Sequence, residues 1–289
     1  MPSAGRFKTA MAKIRLDSLL VERGLVPSRE RAKSCIMEGL VFVNGEREDK
    51  PGASFHPDKI RSVEVKADPL PYVSRGGLKL EKALTLWGLA LSNAICLDIG
   101  ASTGGFTDVM LQNGAKKVYA VDSGTNQLDY RLRTDARVVC MEQTNFRYIT
   151  KKDIPEDIAF AGADVSFISL AKILPAAYPL LAEAANMVCL VKPQFEAGRE
   201  FVGKHGVVKD ARVHAKVLHR VIGEATDIGF TCEALSFSPV QGPKGNIEYL
   251  LLLKKTATPV AQENSLPVDA VVREAHDAFQ QALPESGAL

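Results

Sequence analysis

The stretch CLDIGASTGGFTDVML, residues 96–111, determines the fold class of this chain. An apolar run leads to Asp98 and Gly100, a loop of small residues follows, and Gly104–Gly105 open a segment with helical spacing. Glycines let the backbone turn sharply and let a ligand approach it closely. In an open parallel sheet, such a turn lies at the carboxyl ends of the strands, where ligands bind. The stretch therefore predicts a strand, a ligand-binding loop and a helix.

The surrounding sequence extends this pattern into a sheet. From residue 77, five apolar runs alternate with helix-length stretches, which is typical of a mostly parallel sheet covered by helices. The runs are AICLDIG, VYAVDSG, VVCMEQ, FAGADVSF and MVCLVKPQF. Two later runs, FTCEALSFSP and EYLLLLKK, are separated only by VQGPKGNI and predict an antiparallel pair at one sheet edge. We therefore expect an α/β fold with a Rossmann-like, seven-stranded sheet whose last strand pair is antiparallel.

Local composition divides the chain into five segments. A small α+β domain is predicted from two short helical patterns, the Asn-Gly turn of LVFVNGERE and the short strand SVEVKA. The prolines and glycines of DPLPYVSRGG indicate a linker. The last segment contains an amphipathic helix, predicted over residues 268–283. The segments are a flexible tail (1–12), the small domain (13–67), the linker (68–76), the α/β domain (77–256) and a C-terminal extension (257–289).

Composition narrows the class of protein. The net charge is +2, although residues 1–40 carry eight Lys/Arg against four Asp/Glu. The five cysteines are scattered without a CxxC, which favours reduced thiols over disulfides or zinc. No apolar run has membrane-spanning length and no apolar block follows the basic N-terminus, so we expect a cytoplasmic protein without a membrane partner. His205 and His214 are expected at the surface, and no metal site is predicted.

The glycine loop also discriminates between cofactors. Its glycines do not have the G-x-G-x-x-G spacing of a dinucleotide site, and it lacks the lysine of a phosphate-binding loop. Asp98 suits a cationic ligand without phosphate, namely S-adenosylmethionine, and Asp122 ends the second run, where it can accept ribose hydroxyls. Asn145, after the third run, is placed to read an adenine edge. The predicted cofactor residues are Asp98, Gly100, Ala101, Ser102, Gly104, Gly105, Phe106, Asp122 and Asn145.

Several ionisable residues stand at the predicted strand ends. ADVSFISL replaces the Asn/Asp-Pro-Pro-aromatic motif of amino-methylating enzymes, and no cysteine is placed as the nucleophile of a carbon-methylating enzyme. Asp164, Lys192 and Glu248 are expected to share one rim of the sheet, which favours a functional site over charges that merely reach the surface. In SRGGLKLEKAL, helical spacing places Lys79 on the edge of an apolar stripe. Spacing alone also allows Lys79 to be an ordinary lysine stem lying along apolar surface.

These motifs resemble those of a known family. Residues 77–255 resemble the FtsJ-type ribose 2′-O-methyltransferases, whose Lys-Asp-Lys-Glu tetrad matches Lys79, Asp164, Lys192 and Glu248. The segment RLDSLLVERGLVPSRERAKSCIMEGLVFVNG resembles the small RNA-binding domain first known in ribosomal protein S-four. Together with VSRGGLKL and GASTGGF, this pairing is similar to the TlyA family, also labelled hemolysin A.

The resemblance implies a function. It implies S-adenosylmethionine-dependent methylation of cytidine ribose in ribosomal RNA, with ribosomal RNA or ribosomal subunits as partners. Lys192 would contact the 2′-hydroxyl as base or oxyanion stabiliser, Asp164 would orient it, and Lys79 with Glu248 would complete a charge-balanced cluster. RNA contacts are expected from Arg15, Arg29, Arg31, Lys33 and Arg75, each of which also fits a solvated surface. Arg75 and the loop AGREFVGKHGVVK are candidates to line the substrate entrance.

Two other functions compete with methyl transfer. One is a non-catalytic RNA-binding or ribosome-assembly factor, which an intact tetrad argues against. The other is the pore-forming activity of the hemolysin label, which no spanning segment or barrel pattern in the sequence supports. The sequence leaves the oligomeric state open.

Overall fold

The chain divides into two compact units, Met1–Pro71 and Tyr72–Leu289. The computed structural model describes residues 13–26, 29–37, 39–66, 70–256 and 266–281. The predicted tail, residues 1–12, lies outside these ranges, as do residue 67 of the predicted small domain, residues 68–69 of the predicted linker and much of the C-terminal extension.

The first unit is a small α+β domain, as predicted. Both predicted helices and the Asn-Gly hairpin are present, and Asn44 and Gly45 at the turn have positive φ values of 54° and 86°. Strand β2 pairs antiparallel with β3 on one side and β5 on the other, while the short β1–β4 pair was not predicted. Its elements are β1 (Ile14–Arg15), α1 (Leu16–Glu22), α2 (Arg29–Met37), β2 (Val41–Val43), β3 (Glu46–Glu48), β4 (Ser54–Phe55) and β5 (Val63–Val65).

The second unit contains the predicted seven-stranded sheet. Its elements are α3 (Gly76–Trp87), β6 (Ile95–Ile99), α4 (Gly105–Gln112), β7 (Lys117–Val121), α5 (Tyr130–Arg133), β8 (Val138–Met141), β9 (Ile158–Ala163), α6 (Leu174–Ala177), β10 (Leu181–Val191), α7 (Pro193–Glu196), α8 (Ala211–Ile228), β11 (Phe230–Phe237), β12 (Tyr249–Lys255) and α9 (Val268–Gln281). The strand order is β11-β12-β10-β9-β6-β7-β8. Strands β10, β9, β6, β7 and β8 are parallel, whereas β12 pairs antiparallel with both β10 and β11. The α/β fold class and the antiparallel pair are therefore confirmed.

The sheet is buried on both faces. Successive residues of β6 alternate between two apolar cores, since Cys96 belongs to one and Leu97 to the other. This alternation follows from the two-residue period of a strand. Helices α3 and α4 cover one face, and α8 and α9 cover the opposite one. The strands can therefore be almost wholly apolar, and the polar residues are left to their ends.

The antiparallel strand β12 has a consequence for the rim of the sheet. The carboxyl ends of β9 and β10 meet the start of β12, because Val191 at the end of β10 is paired with Tyr249 at the start of β12. One residue before β12 and one residue after each of β9 and β10 therefore lie at the same edge. Within the described ranges, no helix has the length and apolar character needed to cross a bilayer.

Candidate active site

The four residues of the predicted tetrad lie in one cluster at this rim. Lys79 Nζ lies 2.8 Å from Glu248 Oε2 and 3.3 Å from Asp164 Oδ2. Lys192 Nζ lies 2.6 Å from Asp164 Oδ1. Asp164 directly follows β9, Lys192 directly follows β10 and Glu248 directly precedes β12, so the sheet register fixes three of the four. The sequence prediction of their shared location agrees with this geometry.

Lys79 reaches the cluster because helix α3 packs closely on α4. A Cβ atom on Gly105 would lie only 2.8 Å from the backbone nitrogen of Gly77, so the absence of a side chain at Gly105 allows this approach. Leu80, Ala83 and Leu84 form the buried stripe of α3. Lys79, at the edge of the stripe, is buried too and points its ammonium at the two carboxylates.

The cluster is electrically balanced. Its two ammonium and two carboxylate groups sum to zero, which lowers the cost of burying four charges. Burial alone would lower the pKa of Lys79, but Asp164 and Glu248 more than offset it and raise the pKa. Burial likewise opposes ionisation of Asp164, yet Lys79 and Lys192 hold the pKa of its carboxyl well below the usual range, at about 2. Asp164 and Lys79 are therefore both charged at neutral pH.

Two further side chains complete the cluster. Lys192 Nζ donates to Ser166 Oγ at 3.1 Å, and Gln194 Nε2 donates to Glu248 Oε1 at 3.2 Å. Neither Ser166 nor Gln194 was predicted. Each lies two residues after a tetrad member, in DVS and KPQ, and that proximity was the available signal.

Gly242 places a steric limit on the Glu248 carboxylate. A Cβ atom on Gly242 would fall 2.2 Å from Glu248 Oε1. We expect Gly242→Ala to displace this carboxylate and reduce turnover by about 10²-fold, since small misplacements at a reacting centre cost that much. Turnover measured at saturating substrates tests this expectation.

Gly223→Ala provides the matched control. A Cβ atom there meets nothing within 4 Å, and Gly223 lies inside α8. This change should raise the free energy of unfolding by about 1 kcal/mol without altering turnover, because alanine is the better helix former. Wild-type turnover in Gly242→Ala would contradict the steric argument.

A cavity of about 440 Å³ adjoins the cluster. Asp164 lines it, and so do four of the predicted cofactor residues: Gly100, Ser102, Asp122 and Asn145. The Asp122 carboxylate accepts hydrogen bonds from the backbone N–H groups of Ser102, at 2.8 Å, and Gly124, at 2.7 Å. These bonds hold the loop and its carboxylate in the lining.

Gly100 lets the glycine loop pack against Asp164, at the end of β9. Its φ is +85°, and a Cβ atom would lie 2.8 Å from the carbonyl oxygen of Asp164. Any larger residue would therefore push the loop and Asp164 apart.

The other five predicted cofactor residues are absent from the lining of this cavity. Asp98 is wholly buried, and its Oδ2 accepts from the backbone N–H (2.9 Å) and hydroxyl (2.6 Å) of Thr107. Phe106 instead packs against Gly162. Gly104 faces leucine side chains, Gly105 faces α3 and Ala101 is part of the apolar core. Within the glycine loop, only Gly100 and Ser102 face the cavity. The five other residues pack in the core or set the shape of the loop.

Asp98 nevertheless retains a polar atom for which the described residues supply no partner. Its Oδ1 is buried and unbonded there. Burial raises the pKa of Asp98 to about 7, against the opposing hydrogen bonds from Thr107. A nearby cation would stabilise its ionised form. The acidic strand end and the glycine loop thus fit a cationic cofactor.

An exposed aromatic residue stands at the mouth of the cavity and was not predicted. Phe167 is 90% exposed and has a φ of +63°, which is unfavourable for a bulky side chain. Its ring lies 4.9 Å from that of Phe195, centroid to centroid. An aromatic face held in this way can stack on a nucleobase.

The predicted RNA-binding residues occupy both units. In the first unit, Arg15 and Arg29 flank the buried Asp17, with guanidinium-to-carboxylate distances of 2.9 and 3.2 Å, and both remain half-exposed. Arg31 is half-buried and Lys33 is exposed. In the second unit, Arg75 donates to the carbonyl oxygen of Gln241 at 3.4 Å. Asp17, which the sequence did not single out, therefore orients two of the five.

The expected surface position of His214 is wrong. His214 is fully buried, and its ring nitrogens bond to Tyr249 Oη at 2.8 Å and the carbonyl oxygen of Val208 at 2.9 Å. It belongs to the apolar stripe of α8, at three- and four-residue spacing from Val217 and Leu218, a signal that the sequence contained. His205 is exposed as expected. The described residues include no group of three or more His, Cys, Asp or Glu suited to a metal ion.

Comparison with known proteins agrees with both units. Residues 72–255 match the family model of the FtsJ-like methyltransferases, and residues 14–58 match the S4 domain. A candidate rRNA methyltransferase of Bacillus subtilis, YqxC, is 53% identical over 93% of this chain and 96% of its own. The 16S/23S rRNA (cytidine-2′-O)-methyltransferase TlyA of Mycobacterium tuberculosis is 41% identical over 84% of this chain and 90% of its own. A solved structure of a candidate hemolysin of Streptococcus thermophilus is 51% identical, covers 94% of this chain and 98% of its own, and has a TM-score of 0.74.

Proposed function

We propose that this chain, which belongs to the FtsJ-like methyltransferase family, methylates the ribose 2′-hydroxyl of a cytidine in ribosomal RNA with S-adenosylmethionine as donor. One observation supports this proposal above all others. Asp164 lines the cavity next to the glycine loop and also forms ion pairs with both lysines of the cluster. A methyl donor in the cavity and a hydroxyl beside Lys192 would therefore be neighbours. The relatives named as rRNA methyltransferases support the substrate class.

Lys192 is the residue that we assign to the hydroxyl. A ribose 2′-hydroxyl is a weak nucleophile at neutral pH. Its oxygen would gain negative charge as its proton is lost to solvent and it takes the methyl group from the sulfonium, which leaves as a neutral thioether. Lys192 Nζ lies 2.6 Å from Asp164 Oδ1, so that carboxylate fixes the position of its ammonium group. A cation aimed at an oxygen that gains charge lowers the barrier, because it interacts more strongly with the transition state than with the neutral hydroxyl.

The remaining cluster residues position Lys192. Asp164 fixes its ammonium, and Lys79 neutralises the second oxygen of Asp164 while remaining bonded to Glu248. Gln194 fixes the other oxygen of Glu248. The cluster is thus built with its geometry set before substrate arrives, which reduces the cost of reorganisation during the reaction.

The cavity residues fit S-adenosylmethionine. Asp122 would accept ribose hydroxyls, Asn145 would meet the adenine edge, and the acidic Asp98 beneath the loop would favour the positively charged methionine end. The cofactor supplies an electrophilic methyl group on a sulfonium. Gly100 and Ser102 shape the loop so that its backbone can approach a ligand.

Isotope transfer tests the proposal directly. Incubation of the protein with ribosomal subunits and S-adenosylmethionine carrying a labelled methyl group should label rRNA at cytidine ribose, as mapped by nuclease digestion and mass spectrometry. Deoxycytidine at the labelled position of a synthetic RNA, which lacks the 2′-hydroxyl, should accept no methyl group. Labelling of a base instead of a ribose would contradict the reaction type. Binding to subunits without any transfer would instead assign the chain to assembly factors.

A further inference from the structure

A second cavity, separate from the cofactor cavity, borders the active site. It measures about 980 Å³ and is lined by three segments of the second unit. We call it the basic cleft and define it by Phe201, Lys204, Lys209, Lys244 and Phe279. One wall is the loop before α8, the other is α9, and the floor is the turn before β12.

The turn before β12 forms the floor of the basic cleft and also contacts the cluster that contains Glu248. On one side of the turn, Gly242 faces the Glu248 carboxylate and the Gln241 carbonyl accepts from Arg75. The other side presents Lys244 and Gly245 to the cleft. An extended ligand that runs from the cluster across this turn therefore enters the cleft directly.

The charge of the basic cleft is positive and uncompensated. Lys204, Lys209 and Lys244 are exposed, and none forms an ion pair with a residue in the part of the chain that the structure describes. Among the described residues that line the cleft, the one carboxylate is that of Asp210, which is paired with Arg212 at 2.8 Å. Free ammonium groups that converge on one cavity suit a polyanion.

Lys244 holds an unfavourable backbone conformation at the tip of the turn. Its φ is +64° and its ψ is +13°, a region that glycine adopts readily and lysine does not. A lysine retained in such a position suggests a use for its side chain. The opposite wall is fixed in place, because Asn246 donates to the Gly206 carbonyl at 3.0 Å and accepts from the Val208 N–H at 3.3 Å.

We infer that the basic cleft binds the single-stranded RNA segment next to the methylated nucleotide, with the lysines on its phosphates and the exposed ring of Phe201 on a base. The inference rests on the proposed function and extends it to the path of the RNA. Phosphates and stacked bases are the groups that ammonium and aromatic side chains recognise in single strands. The charge and the continuity with Glu248 favour RNA over other partners.

Charge removal tests the cleft. For the double variant Lys204→Gln/Lys244→Gln, the KM for ribosomal subunits should rise about tenfold at physiological salt, and kcat at saturation should stay unchanged. The slope of log kcat/KM against log salt should become shallower by about 1.4, at 0.7 per lost phosphate contact. The matched control, Lys116→Gln/Lys152→Gln, removes two exposed lysines that line none of this cleft and should leave both values as in the wild type.

Two more variants separate a structural role from RNA contact. Lys244→Gly should melt close to the wild-type temperature, since glycine suits the turn, yet should raise the KM for subunits. With p-azidophenylalanine in place of Phe201, irradiation should cross-link the cleft to rRNA; a cross-link to a ribosomal protein would overturn the inference. Wild-type KM and salt slope in the lysine double variant would also overturn it, while methyl transfer by that variant would leave the proposed function standing. If the wild-type protein transfers no methyl group to rRNA, both the proposed function and the inference about the cleft are wrong.

Discussion

Lys192→Ala is expected to reduce methyl transfer to RNA by at least about 10³-fold, because the developing charge on the ribose oxygen loses its cation. The affinity for S-adenosylmethionine should be unchanged, since Lys192 is absent from the lining of the cofactor cavity. Single-turnover rates and calorimetric titration with the cofactor measure the two effects separately. A wild-type rate would remove Lys192 from the reaction.

Two other lysine variants sharpen this test. Arginine is always protonated, so Lys192→Arg should be at least about tenfold more active than the alanine variant if the role is electrostatic. Equal inactivity of the two would indicate that Lys192 must accept a proton or fit more tightly than arginine allows. Lys172→Ala, which removes an exposed lysine in the turn that follows β9, should behave as wild type.

Asp164→Asn is expected to abolish activity and also to destabilise the fold by about 3–5 kcal/mol, the usual effect of removing one partner of a buried ion pair. The cluster would then contain two ammonium groups and only the Glu248 carboxylate, which leaves one surplus buried positive charge. Chemical denaturation measures the free energy of unfolding. Asp157→Asn breaks the ion pair of an exposed carboxylate with Lys151 and should leave the free energy of unfolding close to the wild-type value, because solvent screens exposed pairs.

A second substitution separates stability from catalysis. Lys79→Gln/Asp164→Asn removes the surplus charge, so it should recover part of the lost stability while remaining inactive.

The free energy of unfolding should also depend on pH through Asp164. The folded pKa of Asp164, about 2, lies below its ordinary value near 4, so its contribution is complete above pH 4 and is lost as the pH falls toward 2. If Asp164→Asn unfolds with the same acid dependence as the wild type, Asp164 is not the group responsible.

The sequence predicted the residues whose positions follow from regular structure. Asp164, Lys192 and Glu248 adjoin strand ends, and strand ends of one sheet meet at one edge whatever the loops do. Lys79 was predicted to lie at the edge of its helical stripe, and the stripe is buried as expected. The seven strands could be predicted for the same reason, since each is an apolar run bounded by turn residues.

The residues that escaped prediction depend on tertiary contacts. Ser166 bonds to the cluster from the turn after β9 and Gln194 from the short helix α7, and no periodicity in the sequence reveals either direction. His214 was misplaced because a histidine suggests solvent, although its spacing placed it on the buried stripe of α8. The sequence predicts more cofactor contacts in the glycine loop than the cavity lining contains. A motif marks where a ligand binds but does not show which of its residues face the ligand.

Strand β12 comes last in the sequence among the seven, yet it lies between β10 and β11. A nascent chain that has not yet reached residue 249 has two unpaired strand edges in this sheet and, up to residue 247, no Glu248. The pairing of β12 covers both edges and also completes the four-residue cluster to which we assign catalysis. Translation products that stop before β12 therefore carry the glycine loop without the complete cluster of Lys79, Asp164, Lys192 and Glu248.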